Sequence, residues 1–224
     1  MLAQALADVV ADQLRDGLAQ RGRALLIVSG GNTPVPFFER LSQAELAWSQ
    51  VSVTLADERW VPPSHADSNA RLVQRHLLQG LAAQARWLPL VNSAATPAEG
   101  QPALEHALAG LPWPADVLVL GMGGDGHTAS LFPHDAALAQ ALDEQESAPR
   151  CLAVAAPERP NVPVPRITMS RRALLDVRLI ALHLVGADKW RLLHQVLEPG
   201  PVEDFPIRLA LHQTQVPCHV FHAD

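Results

Sequence analysis

Cysteine is scarce in this 224-residue chain: Cys151 and Cys218 stand far apart and form no CxxC pair. That spacing supplies no zinc-ligand set and points to two buried thiols rather than a disulfide framework. Long apolar runs are missing too. Stretches such as 24–28 and 117–120 fall far short of the roughly 18 residues a membrane-spanning helix needs, so no bilayer crossing is expected. The opening segment, 2–20, sets Asp8, Asp12 and Asp16 among its apolar residues and lacks the basic-then-apolar order of a secretory leader. A cytoplasmic protein is the expectation. Runs of Lys and Arg are also absent, and 17 basic residues against 23 acidic ones leave a formal charge of −6, which argues against a nucleic-acid partner. An anionic ligand would have to be held by local groups. Ten histidines are present, yet neither HExxH nor a compact His/Asp/Cys set occurs, so a metal site is the weakest option.

What the chain does have is core material. At 48% hydrophobic and 18% charged, with its prolines and glycines scattered, it excludes the disordered and fibrous classes, and its length suits one domain over 1–224. Leu2, Leu6, Val9, Val10, Leu14 and Leu18 recur at spacings of three and four, predicting an opening amphipathic helix that stops at Gly22. The apolar stretch 24–28 then reads as a strand buried on both faces, followed by a helix starting near Pro34. The alternation repeats. Strands are expected over 51–55, 87–91, 116–120, 152–155, 166–168, 177–185 and 216–221. Helices are expected over 68–78 with Ser68 as N-cap, 97–108 with Thr96 as N-cap, a turn capped by Ser170, and 187–197. The stretch 157–165, with four prolines, is expected as a loop.

Strands alternating with helices predict an α/β fold: a mostly parallel, doubly wound, Rossmann-like sheet with helices on both faces. Such sheets bind ligands beyond the carboxyl ends of their strands, so the chemistry should lie in the loops that follow strands. Three of those loops are loaded. In Ser29-Gly30-Gly31-Asn32-Thr33-Pro34, consecutive glycines ahead of a helix suit a phosphate, although a plain tight turn explains the pair equally well. It is neither a Walker A loop nor a G-x-S-x-G elbow. In Asp57-Glu58-Arg59-Trp60, Arg59 can engage a phosphate and Asp57 can position a proton-transfer partner, where a self-paired solvated turn is the plainer alternative. Downstream, His65, Asp67, Ser68 and Asn69 are further contact candidates or ordinary capping residues.

The stretch 121–130, Gly-Met-Gly-Gly-Asp-Gly-His-Thr-Ala-Ser, contains G-x-G-x-x-G after a strand, with Asp143 at about the spacing of the dinucleotide fingerprint. That match is read as a decoy, because Asp125 and His127 sit inside the turn and Pro133 interrupts the helix the fingerprint needs. A histidine on a glycine-rich loop, two residues after an aspartate, is placed as a general base, since imidazole exchanges protons near neutral pH. Arg166 and Lys189 are later cationic candidates, Lys189 at the start of a helix that follows the longest strand.

The stretches SGGNTP (29–34), DERWVP (57–62), DSNARL (67–72), GMGGDGHTASLFP (121–133), PRITMS (165–170) and GADKW (186–190) together resemble the 6-phosphogluconolactonase family, of a superfamily shared with glucosamine-6-phosphate isomerase. They span most of the chain in family order. In the isomerase branch an Ile-Ala-Phe-Asn-Glu-Pro-like run follows GDGH and Asp-Glu-Tyr replaces Asp-Glu-Arg; here residues 128–132 and Arg59 side with the lactonases. The resemblance implies hydrolysis of 6-phospho-D-glucono-1,5-lactone to 6-phosphogluconate, the second step of the oxidative pentose phosphate pathway, without a cofactor. His127 would then activate water, with Asp125 or Asp57 supporting it and N–H groups of Gly123, Gly124 and Gly126 facing the oxyanion. Arg59 and Lys189 would grip the phosphate with Gly30, Gly31, Asn32 and Thr33, Arg166 being second in rank. The partner implied is the small sugar-phosphate lactone, acted on by a monomer or small homo-oligomer. Three alternatives stand beside it: an amino-sugar-phosphate isomerase/deaminase, a non-catalytic sugar-phosphate binder, and a nucleotide-dependent oxidoreductase.

Overall fold

Helix α1 (Leu2–Arg21) buries Leu6, Val10 and Leu14, and Gly22 ends it in the left-handed region at φ 68°, its N–H donating to the Leu18 carbonyl at 2.9 Å. Only glycine enters that region without strain, so the expected stop falls where the sequence placed it. The computed structural model describes residues 1–158 and 161–224, leaving 159–160 of the expected proline-rich loop outside. After α1 come β1 (Ala24–Val28), α2 (Val35–Leu41), β2 (Val51–Leu55), β3 (Asp57–Arg59), α3 (Asn69–His76), β4 (Arg86–Trp87) and α4 (Pro97–Ala109). Then follow β5 (Val117–Leu120), α5 (Leu138–Ala141), β6 (Cys151–Val154), β7 (Arg166–Met169), α6 (Arg171–Leu175), β8 (Ile180–Val185), α7 (Ala187–Leu197), α8 (Arg208–Leu211) and β9 (Cys218–Ala223).

Among the described residues, six strands form one sheet in the order β4-β2-β1-β5-β8-β9, with every pairing parallel. Every residue of β1 and β5 is buried, as a central strand covered on both faces by helices requires. The α/β fold read from the alternation is therefore the one observed. No described helix is long and apolar enough to cross a membrane.

A second sheet, β3-β7-β6, is antiparallel and was not foreseen. The sequence places Asp57–Arg59 in the loop that follows the 51–55 strand, where an Asp-Glu-Arg run most often forms a solvated, self-paired turn. Long-range pairing overrides that local preference: Asp57 lies opposite Thr168, Glu58 opposite Ile167, and Arg59 opposite Arg166. Other boundaries shift for local reasons. β4 stops at Trp87, two residues short of Pro89, which has no N–H to give a ladder. β8 begins at Ile180, with Val177 in an isolated bridge to Ala115, and β9 runs from Cys218 rather than Val216. Ser68 and Thr96 cap their helices as expected, accepting the N–H of Arg71 and of Glu99. Ser170 does not; its hydroxyl donates to the Pro149 carbonyl at 2.5 Å.

Candidate active site

A cleft of about 200 Å³ opens at the carboxyl ends of β1, β5 and β8, and β3 and β7 supply its opposite wall. All three loaded loops reach it. The first does so through Ser29, Gly30, Gly31 and Thr33, whereas Asn32 is not among its lining residues. Gly30 has a steric reason to be glycine: a Cβ there would stand 1.9 Å from the Asn69 side-chain oxygen. Asn69 is in turn fixed by donating its amide to the Asp57 carbonyl at 3.0 Å, so the glycine loop is packed directly onto the start of α3. Gly31 has φ 86°.

The loop after β5 folds on itself. Gly123 N–H donates to the His127 carbonyl at 2.8 Å, and Gly126, at φ 81°, donates to the Gly123 carbonyl at 3.2 Å. Two of the N–H groups expected to face an oxyanion are thus consumed within the turn. Gly124 does not line the cleft, while Gly123 does, and a Cβ on Gly123 would meet His127 Nδ1 at 2.1 Å. The chain then passes into a bridge between Thr128 and Leu131 rather than a helix, which removes the structural context of a dinucleotide fingerprint.

His127 lines the cleft with its ring 4.8 Å from that of Phe132. Its Nδ1 lies 2.6 Å from Asp125 Oδ1, which also accepts the His127 backbone N–H at 3.1 Å. Partial burial by itself raises the Asp125 carboxyl, but the hydrogen bond and charge of His127 outweigh it and bring it down to about 2. An ionised Asp125 accepts the Nδ1 proton, which leaves Nε2 as the nitrogen with a free lone pair. Of the two carboxylates considered for supporting the imidazole, Asp125 is the one in contact.

Asp57 is committed elsewhere. Ser130 Oγ donates to its Oδ2 at 2.5 Å, and Arg166 Nη1 stands 3.9 Å from the same oxygen. Arg166 is itself 3% exposed, donating to the Val162 carbonyl at 3.0 Å with its Nε unpartnered, and burial lowers its pKa despite the nearby Asp57. Arg59 donates to the Asp67 carbonyl at 2.6 Å, and its Nε is likewise sealed and unpartnered. Two guanidinium groups therefore sit at directly opposed positions of β3 and β7, both lining the cleft. Like charges so placed are unfavourable without an anion between them. Lys189, on the first turn of α7, lines the cleft as well; burial pulls its pKa down while Asp125 and Asp188 pull it up.

Three contributors escaped the sequence reading. Glu58, 1% exposed, accepts the backbone N–H groups of Arg59, Asn69 and Ala70 and the Ser68 hydroxyl, tying β3 to the start of α3; burial raises its carboxyl against the backbone N–H groups, which favour its anion. Ser130 holds Asp57. His183 lines the cleft from β8, where a polar residue interrupting Ile-Ala-Leu-His-Leu-Val was the available signal. Among the described residues, no group of three or more His, Cys, Asp or Glu is placed to hold a metal ion.

A parallel α/β sheet with an imidazole–carboxylate pair in the loop after β5, Lys189 beyond β8, and Arg59 and Arg166 facing the same cleft from the antiparallel sheet, defines an enzyme for an anionic small molecule. The chain belongs to the glucosamine-6-phosphate isomerases/6-phosphogluconolactonase family, whose model matches residues 1–218. It is 49% identical to the 6-phosphogluconolactonase of Pseudomonas aeruginosa over 93% of this chain and 86% of that one. It is 44% identical to the 6-phosphogluconolactonase of Mesorhizobium japonicum over 99% of this chain and 91% of that protein. The crystal structure of a 6-phosphogluconolactonase from Shewanella baltica superposes with a TM-score of 0.94 at 43% identity, covering 100% of this chain and 93% of the other.

Proposed function

We propose that this chain hydrolyses 6-phospho-D-glucono-1,5-lactone to 6-phospho-D-gluconate in the oxidative pentose phosphate pathway, as one cytoplasmic domain over 1–224, with His127 as the general base. The single observation that supports the mechanism is that His127, held by Asp125 from outside the lining, faces the same cleft as Arg59, Arg166 and Lys189. The lactone carbonyl is already electrophilic, so an activated water suffices and no covalent nucleophile is needed. His127 Nε2 takes a proton from water as the water oxygen bonds to C1. Collapse of the tetrahedral intermediate breaks the bond from C1 to the ring oxygen, and the imidazolium returns its proton to that oxygen. The carboxylic acid so formed ionises at neutral pH. Asp125 stabilises the transient imidazolium and fixes its orientation; such general-base assistance contributes roughly 10²- to 10⁴-fold.

The phosphate is held by Arg59, Arg166 and Lys189 with the N–H groups of Gly30 and Gly31 and the Thr33 hydroxyl. Asp57 and Ser130 hold Arg166 in place. The test follows decay of freshly generated lactone, with and without enzyme, by NMR or by a coupled dehydrogenase assay. Acceleration that His127→Ala removes is the expected result. No acceleration over spontaneous hydrolysis, or equal turnover of unphosphorylated gluconolactone, would overturn the reading.

A further inference from the structure

His183 is a buried polar side chain of the cleft for which the mechanism above has no use. It sits in β8 between Leu182 and Leu184 at 5% exposure, its ring 6.3 Å from that of Phe37 in an edge-on arrangement. Its Nδ1 is sealed from solvent and has no hydrogen-bond partner. A leucine would fill similar space without stranding a polar atom, so the fold alone gives no reason for an imidazole here. Because Nδ1 is closed off while the residue lines the cleft, Nε2 is the nitrogen left to meet a ligand.

Burial also pushes the imidazole below its ordinary pKa, which keeps it neutral with one N–H. A proton on the sealed Nδ1 would find no acceptor, whereas on Nε2 it can be donated into the cleft. A neutral donor is poorly suited to the phosphate, which the two guanidinium groups and Lys189 match better. It is also not the base, since His127 has that position with its carboxylate. The polar groups of a sugar lactone that remain are its C1 carbonyl oxygen, where a donor would act on kcat, and its ring hydroxyls, where a donor acts on KM and on the preference between lactones.

We propose that His183 Nε2 donates a hydrogen bond to one ring hydroxyl of the bound lactone and so sets the enzyme's preference for the fully hydroxylated substrate. The proposal rests on the reading of this cleft as the lactone site. A site built to bond a hydroxyl rejects the analogue that lacks it, because a desolvated group is then left unpaired.

The experiment measures kcat/KM of wild type, His183→Leu and His183→Gln on the 6-phosphorylated gluconolactone and on its 2-, 3- and 4-deoxy counterparts, each made fresh by oxidising the matching deoxyglucose 6-phosphate. Wild type should lose about ten- to a hundredfold on one deoxy lactone. His183→Leu should lose a similar factor on the parent, mainly through KM, and nothing further on that one deoxy lactone, with His183→Gln falling between. Loss of less than twofold on the parent, or an equal loss on all four lactones, overturns the assignment. If His183→Leu does not fold, an unchanged preference in His183→Gln overturns it equally. His127→Ala separates the two readings: if it abolishes turnover while His183 variants behave as wild type, the hydroxyl assignment alone fails, and if it stays active, the reading of the cleft fails.

Discussion

One carboxylate oxygen, Asp125 Oδ1, holds His127 twice, at the ring nitrogen Nδ1 (2.6 Å) and at the backbone N–H (3.1 Å). Spacing in the sequence and geometry in the fold thus serve the same end, since the Asp-Gly-His turn that brings the pair together is closed by Gly126 at positive φ. Asparagine at 125 is nearly isosteric, but it can turn its amide toward Nδ1 and force the imidazole proton onto Nε2, where the base must be free. Asp125→Asn is therefore expected to lower kcat by 10²- to 10⁴-fold with KM nearly unchanged, in steady-state assays on fresh lactone. His127→Gln should fall by two decades or more, and the double variant should be no worse than His127→Gln alone, because the two residues act as one unit.

The same pair has a pH signature. Asp125 titrates at about 2 in the folded protein against an ordinary value of 3.8, so the folded state disfavours its protonation. A lowered carboxyl pKa contributes stability that is present above the unfolded value and is lost as pH falls through the folded one. The difference in unfolding free energy from urea titration between wild type and Asp125→Asn should then narrow as pH drops from about 4 toward 2. With the side chain 43% exposed, solvent screening keeps that difference small. A gap that closes already between pH 7 and 5 would assign the coupling to another group.

Lys189 tests the anchor without disturbing the β3–β7 pairing that Arg59 and Arg166 belong to. A remote phosphate contact binds ground and transition states alike, so Lys189→Met should raise KM about tenfold or more and leave kcat within about threefold. Inorganic phosphate, tested as a competitive inhibitor, should weaken by a similar factor. A loss confined to kcat would place Lys189 at the reacting end of the lactone.

The parallel sheet was legible because β1, β5 and β8 carry apolar runs bounded by glycine, and the strand-end rule then singled out the right loops. The antiparallel sheet was not, since Asp57–Arg59 becomes a strand only through pairing with residues more than a hundred positions away. The same long-range contacts hide how the site is supported. Nothing in the spacing reveals that Ser130 binds Asp57, or that Glu58 turns inward to cap α3 instead of facing solvent. Asp125 and His127 were readable as a pair because both lie in one short turn. Choosing Asp125 over Asp57 as the partner required the fold.

Gly17 gives a stability test in which two effects oppose each other. It lies inside α1, where replacing glycine by alanine ordinarily gains about 1 kcal/mol. Here a Cβ would come within 2.2 Å of Asp116 Oδ1. Asp116 is fully buried, accepts the Leu25 N–H at 2.8 Å and Arg21 Nη2 at 2.5 Å, and is pushed up in pKa by burial against those two partners. The helix must retreat or the carboxylate must leave the Leu25 N–H, and overpacking or stranding a buried charge costs about 2–4 kcal/mol, more than the helical gain. Gly17→Ala should thus lower the unfolding free energy read from denaturant titration by a net of about 1–3 kcal/mol while leaving kcat unchanged wherever the protein stays folded. In an Asp116→Ala background the obstruction is gone, and the same substitution should become neutral or stabilising. A Gly17→Ala variant more stable than wild type would mean that α1 can shift off β5 without loss.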